Sequence, residues 1–224
     1  MTDISKLEVL LKPHGLVVLG ALDGAEPAGR FLPLVLVGNA GSSNWPAFVE
    51  SPEFSDRQPH PLDRWSKRIG LAVAAKLGTG VVFPFEGPPY PPVLDWAGQA
   101  GHAHPSPISM FIHRQYGLWH AYRFALILRE PLSGFAPVLN VTSPCLSCIE
   151  QPCLSACPVD AFSAGTYRVD DCVAYLAGDE SSECREQGCG ARRACPVAVN
   201  FQYRATHARF HMKAFLASQT LSII

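Results

Sequence analysis

Eight cysteines are the residues of this sequence whose type and spacing point most directly to chemistry. All of them fall within residues 145–195, and none precedes that segment. The positions are Cys145, Cys148, Cys153, Cys157, Cys172, Cys184, Cys189 and Cys195. Thiols crowded in this way form disulfides, bind zinc or hold iron–sulfur clusters.

Disulfides and zinc each fit the pattern poorly. The first residues lack the basic and apolar regions of a secretory signal, so we expect a cytoplasmic protein, in a compartment where structural disulfides are rare. Structural zinc sites are usually built from Cys-x2-Cys pairs, often with histidine, and only Cys145 and Cys148 have this spacing. A structural zinc protein is kept as an alternative interpretation.

A repeated Cys-Pro dipeptide favours iron–sulfur clusters. Cys157-Pro158 and Cys195-Pro196 are both preceded by Ala and followed by Val, and three further cysteines come before each. This pattern is typical of two-cluster bacterial ferredoxins, in which the cysteine of each Cys-Pro binds the cluster of the other half. It predicts two [4Fe–4S] cubanes with these ligand sets: Cys145, Cys148, Cys153 and Cys195 for the first, and Cys157, Cys172, Cys184 and Cys189 for the second. Because the cysteine spacing of the second half is looser, a three-iron cluster or a missing second cluster is the alternative there.

Length and composition limit the classes of protein to consider. The chain has 224 residues, of which 48% are hydrophobic and 17% charged, which is enough apolar material for one large or two modest domains. The formal net charge of −1 argues against a nucleic-acid partner. The longest apolar runs have the length of strands, so we expect no membrane span.

The elements that must position these residues form a mixed pattern, which predicts an α/β or α+β fold. Strands are predicted at 16–22, 31–37 and 81–83, and helices at 3–12, 60–77, 93–101 and 201–218. The helix at 60–77 is the clearest of these, because Leu62, Trp65, Ile69 and Val73 make one apolar stripe along it.

The segment 108–129 is predicted to form a strand, a glycine turn and a second strand. Such a turn could present His113, Tyr116 and Trp119 together to a planar cofactor, through aromatic faces and one polar group. The residue types by themselves favour a structural role, with Trp119 in the core. The segment 130–144, rich in proline, is expected to connect two domains.

Two parts of the chain resemble known families. The C-terminal part is similar to the ferredoxin domain of epoxyqueuosine reductases and reductive dehalogenases. The matching pieces are Cys145-Leu-Ser-Cys148, Ala156-Cys157-Pro158, Asp171-Cys172-Val-Ala-Tyr175-Leu176 and Ala194-Cys195-Pro196. The N-terminal part resembles the cobalamin-processing CblC proteins, through Pro61-Leu-Asp63-Arg-Trp65 and His113-x-x-Tyr116-Gly117-x-Trp119.

These resemblances imply a nitroreductase-like half-module over residues 1–135 and a two-cluster ferredoxin-like domain with a terminal helix over residues 136–224. They also imply a cofactor, cobalamin first and FMN second, bound by His113, Tyr116, Gly117 and Trp119.

The implied function is electron transfer from a donor protein or reductase, through both clusters, to that small-molecule cofactor. The enzyme class would be an iron–sulfur oxidoreductase of the corrinoid-dependent type. The alternative is a non-catalytic, ferredoxin-type electron carrier that docks a partner enzyme.

Overall fold

The computed structural model describes residues 2–25, 32–135, 142–163 and 165–221. The helices in chain order are α1 (Ile4–Leu11), α2 (Trp45–Val49), α3 (Pro52–Ser55), α4 (Pro61–Leu77), α5 (Val93–Gln99), α6 (Pro152–Ser155), α7 (Val169–Gly178), α8 (Glu183–Gln187), α9 (Gly190–Arg193) and α10 (Ala205–Leu221). The strands are β1 (Val17–Ala25), β2 (Leu32–Ala40), β3 (Gly80–Val82), β4 (Ala103–Pro105), β5 (Phe111–His113), β6 (His120–Ile127), β7 (Phe162–Ser163) and β8 (Thr166–Tyr167). The mixed α+β fold predicted from the sequence is therefore confirmed.

The chain divides into two compact units. The first contains Met1–Ala103 and His120–Val141, and the second contains His104–Trp119 and Thr142–Ile224. The second unit therefore includes His104–Trp119, a segment that the sequence analysis assigned to residues 1–135. The predicted connection at 130–144 lies partly outside the described residues, as does the first residue of the strand predicted at 31–37.

A four-stranded antiparallel sheet organises the first unit, with strand order β1-β2-β6-β3. Strand β2 lies inside the sheet, and its residues from Leu34 to Val37 are completely buried. Burial on both faces explains why this run is apolar at every position rather than at alternate ones. The register between β2 and β6 shifts at Gly38, where a Cβ atom would stand 2.0 Å from the carbonyl oxygen of Ala121.

Helix α4 follows the prediction for 60–77 closely. Pro61 occupies its first position, and Gly78 ends it in the left-handed conformation with φ of 65°. All four residues of the predicted apolar stripe are buried. The helix packs on β6, and Gly70 is the point of closest approach: a Cβ there would lie 2.8 Å from the Phe83 ring and 3.1 Å from the Phe124 ring.

The second unit is built from short elements and one long helix. Strands β7 and β8 pair in a two-stranded sheet, and α10 packs against α8 and α7. Within the described ranges, every helix is too short or too polar to span a bilayer.

The close approach at Gly70 gives a stability prediction. Gly70→Ala should lower the free energy of unfolding by about 1–3 kcal/mol, because the added methyl group overpacks a site already filled by two phenyl rings. Gly98→Ala is the matched control. It lies in α5 with no atom within 4 Å of the added Cβ, so it should raise stability by up to about 1 kcal/mol. Urea denaturation measures both, and equal changes would contradict the packing described for α4.

Candidate metal centre

Short helices and turns hold the cysteines of the second unit. Cys145 lies in the 3-10 turn Pro144–Ser147, Cys153 in α6, Cys172 in α7 and Cys184 in α8. Cys157 and Cys195 each follow a four-residue helix, α6 and α9, with one alanine between the helix and the cysteine. All eight thiols are free, so the structure pairs none of them in a disulfide.

The two Cys-Pro turns are brought together by the packing of α6 on α9. The contact is close: a Cβ atom at Gly190 would stand 2.9 Å from the carbonyl oxygen of Ala156 and 3.7 Å from the Sγ of Cys184. Each Cys-Pro turn therefore lies beside cysteines of the other half, which is the condition for exchanging ligands between two groups.

One neighbourhood of thiols forms around Cys153. Burial raises the pKa of the Cys153 thiol, and the thiols of Cys195, Cys145 and Cys148 raise it further. Each of the three acts because it lies close enough to repel a negative charge at Cys153. Burial also raises the pKa of Cys195, with additional contributions from Cys145 and Cys148.

A second neighbourhood forms around Cys172 and Cys189. Burial raises the pKa of Cys172, and the thiols of Cys157 and Cys184 raise it further. Burial raises the pKa of Cys189 to about 11, again with contributions from Cys184 and Cys172. The two neighbourhoods have the same members as the two crossed ligand sets that the sequence predicts. The binding of iron by these sets stays a prediction.

The second set surrounds a void. A small cavity of about 20 Å³ is lined by Cys157, Cys172, Cys184 and Cys189 together with apolar side chains such as Phe162. Four soft sulfur donors around an apolar space are a donor set that suits an iron–sulfur cluster. Among the described residues, no three His, Cys, Asp or Glu side chains stand as ligands of a single metal ion.

Hydrogen bonds reach two sulfur atoms of the second set. The backbone N–H of Ala161 donates to the Sγ of Cys157 at 3.3 Å. The Tyr167 hydroxyl donates to the Cys172 sulfur, which favours the thiolate and so lowers the pKa that burial has raised. Donors of this kind stabilise negative charge on sulfur and tune the potential of a bound cluster.

The predicted cofactor residues His113, Tyr116, Gly117 and Trp119 lie in the second unit and mostly in its interior. His113 is 2% exposed, and its Nδ1 accepts hydrogen bonds from the backbone N–H groups of Gln115 and Tyr116. The rings of His113 and Tyr116 stack with their centroids 4.8 Å apart. The structure thus gives the turn a packing role among the cysteine elements.

Gly117 and Trp119 extend this packing to the last cysteine. Gly117 has φ of 56°, and a Cβ there would lie 2.4 Å from the carbonyl oxygen of Val197, two residues after Cys195. The indole of Trp119, 3% exposed, meets the Tyr203 ring edge-on at 5.7 Å. A glycine is required at this turn both by its backbone conformation and by the neighbouring carbonyl.

Arg192 is the functional candidate that the sequence analysis missed. Its Nε and Nη2 donate to the carbonyl oxygen of Leu118 at 3.0 and 2.6 Å, and its guanidinium lies over the rings of Trp119 and Tyr203 at 4.7 and 4.4 Å. The partners are distant in the sequence, and an arginine in a cysteine-rich segment carries no local signal of such stacking.

The turn at Gly117 gives a second prediction. Gly117→Ala should lower the free energy of unfolding by at least about 2 kcal/mol, because it adds a clash with Val197 to the strain of a left-handed backbone. Gly165→Ala provides the control: its φ of 82° carries the same kind of strain, but no atom lies within 4 Å of the added Cβ. Denaturation of anaerobically purified protein compares them, and equal losses would refute a tight junction at Val197.

Comparison with known proteins adds no family to this picture. No family of known proteins matches the chain, and no curated protein sequence matches it significantly.

Proposed function

We propose that this chain is an iron–sulfur redox protein that holds two [4Fe–4S] clusters and passes electrons through them. The single observation that carries the proposal is the division of eight thiols into two neighbourhoods of four, each with one cysteine from the other half of the segment. The first set is Cys145, Cys148, Cys153 and Cys195, and the second is Cys157, Cys172, Cys184 and Cys189.

The chain contributes sulfur ligands, burial and hydrogen bonds to these centres. When bound, each cluster supplies a site that takes up and releases single electrons. Each set has two buried and two half-buried cysteines, and in the first set the half-buried Cys145 and Cys148 are each followed by an exposed apolar residue, Leu146 and Ile149. The edge at Cys145 and Cys148 is thus the edge that a donor protein or reductase can approach.

The identity of the electron acceptor is part of the proposal. Cobalamin, with FMN as the second choice, is carried over from the resemblance to CblC proteins, as are the nitroreductase-like and ferredoxin-like assignments of the two parts. Polar groups of the first unit include Arg123, which donates to the Oδ1 of Asn39 at 3.2 Å, and the buried Tyr122 hydroxyl, which has no hydrogen-bond partner among the described residues. Addition of cobalamin or FMN to anaerobically purified protein tests this assignment, because either cofactor should change its optical spectrum on binding.

A second candidate function is that of a non-catalytic electron carrier. Leu146 and Ile149, which directly follow the proposed ligand positions Cys145 and Cys148, are 79% and 96% exposed. Large apolar side chains beside an accessible redox site favour transient docking of another protein. The alternative predicted from the sequence therefore has an observation in its favour.

The crossed ligand sets are tested by counting iron in double variants. Cys145→Ser with Cys195→Ser removes two ligands of one proposed set, so about half of the iron should remain, because the other set is intact. Cys145→Ser with Cys157→Ser damages both sets and should lose most of the iron. Iron and acid-labile sulfide are measured on anaerobically purified protein, with the wild type as reference.

If instead Cys145→Ser with Cys157→Ser keeps about half of the iron and Cys145→Ser with Cys195→Ser loses most of it, each half uses its own Cys-Pro cysteine and the crossed sets are wrong. Zinc in place of iron, or a colourless wild-type protein without sulfide, would end the proposal as a whole.

The carrier function is tested by the rate of reduction. Leu146→Ser with Ile149→Ser should slow reduction by photoreduced flavodoxin roughly tenfold, because exposed apolar contacts beside the entry edge are lost. Reduction by dithionite, which needs no docking surface, should not change. Val9→Ser removes an equally apolar residue that is 70% exposed in the first unit and serves as the control. An unchanged flavodoxin rate would exclude docking at this edge.

A further inference from the structure

A cavity of about 240 Å³ lies in the second unit beside the second cysteine set. Its wall includes Cys172 and Cys189 of that set, the aromatic rings of Trp119 and Tyr203, and the guanidinium of Arg192. All of its lining residues belong to the second unit. A ligand in this cavity would therefore lie directly against two of the proposed cluster ligands.

The wall chemistry selects a flat, apolar ring. Besides Trp119 and Tyr203, the lining contains Phe162, Phe215 and the thioether of Met212, and its surface is predominantly apolar. Aromatic faces and a polarizable thioether pack well on planar ring systems. The volume is below the range of about 300–1,000 Å³ that is usual for drug-sized ligands. The cavity accordingly suits one or two fused rings and is too small for a corrin.

Arg192 adds one positively charged donor to this apolar wall. Its described partners are the neutral carbonyl of Leu118 and the faces of two rings, and no carboxylate lies among the described residues of the lining. A guanidinium in such a place favours a ligand oxygen, since hydrogen bonds from charged donors are the stronger ones.

The charge of the second cysteine set decides whether the ligand oxygen that faces Arg192 is neutral or anionic. Four thiolates bound to a cubane carry a net negative charge, which repels an anion held next to Cys172 and Cys189. A neutral carbonyl oxygen avoids this repulsion and still accepts a hydrogen bond from Arg192. This step rests on the proposed function, because without a cluster the argument against an anionic ligand is lost.

We propose that the cavity binds a neutral planar molecule of the quinone class. It would have one ring or two fused rings, and one of its carbonyl oxygens would point toward Arg192. The class follows from the size, the aromatic wall, the Arg192 guanidinium and the adjacent negative charge. The wall also contains the ring of His211, whose Nε2 lies 3.0 Å from the Nε2 of His207.

Calorimetric titration of anaerobically purified, oxidised protein tests this inference without any turnover. The probe is 2,3-dimethyl-1,4-naphthoquinone, whose ring positions are blocked against addition of thiols. It should bind at least tenfold more tightly than 2,3-dimethylnaphthalene, which lacks the carbonyls, and more tightly than the anion 2-naphthoate. Iron and sulfide are determined on the same sample.

Variants assign the effect to the cavity. Arg192→Met should lower the quinone affinity about tenfold and leave that of the hydrocarbon unchanged. Arg193→Met is the matched control, because the neighbouring arginine pairs with Glu183 and does not line the cavity. Ala208→Leu places bulk in the wall and should weaken both rings alike. Thermal unfolding of each variant checks that the fold persists.

The outcomes separate the two hypotheses. Protein without iron or sulfide refutes the proposed function, whatever binds. Iron-loaded protein that binds the quinone no better than the hydrocarbon, or that keeps its preference in Arg192→Met, overturns the cavity assignment alone. If Ala208→Leu has no effect on either ring, the binding site lies elsewhere and the assignment is equally wrong.

Discussion

The convergence of thiols from two halves of one short segment constrains the rest of the second unit. Charged thiolates repel one another and lose solvation when buried, so each neighbourhood raises the pKa of its own members. Helices α6 and α9 must nevertheless pack closely enough for each Cys-Pro turn to reach the opposite half. Neither neighbourhood can form without the other half of the segment, so the two should form together. Metal binding to such thiols releases protons and is thereby coupled to folding.

The turn from His113 to Trp119 serves this convergence. Because Gly117 has no side chain, the Val197 carbonyl can lie close to its backbone. Arg192, in α9, donates a hydrogen bond to the carbonyl oxygen of Leu118. Arg192 and Val197 lie on either side of Cys195. Their contacts therefore connect this turn, which lies well before the first cysteine in the sequence, to the last cysteine. These contacts give Gly117 and the aromatic residues around it a structural reason to occur together.

Local pattern was enough for the regular elements. The stripe on α4 and the continuous apolar run of β2 each have a single physical explanation, burial on one helical face and burial on both sheet faces, and both could be predicted. The grouping of the cysteines into two crossed neighbourhoods could also be anticipated, since a duplicated Cys-Pro is a local signal with a known geometric meaning, and the ligation of clusters by these groups stays a prediction.

Contacts between residues far apart in the chain could not be predicted from the sequence. Nothing near His113 indicates that residues 104–119 join the cysteine unit, because that choice depends on contacts 74 residues apart, such as the one between Arg192 and Leu118. Arg192 itself could be recognised only after Trp119 and Tyr203 were seen on either side of its guanidinium. The same holds for the cavity, whose wall combines β-strand, turn and α10 residues from well-separated stretches of the chain.

The two thiol neighbourhoods have unlike surroundings, and this difference has a functional consequence. In the first, the half-buried Cys145 and Cys148 are each followed by an exposed apolar residue, Leu146 and Ile149, which suits contact with a protein surface. In the second, the half-buried Cys172 and Cys189 line an aromatic cavity of about 240 Å³ that suits a small molecule. If the proposed clusters are bound, the first would exchange electrons at an edge that a protein can reach and the second beside a ligand-sized cavity, and this would give the relay a direction. That direction would rest on the exposed apolar residues beside the first set and on the cavity beside the second, and not on which unit holds any larger cofactor.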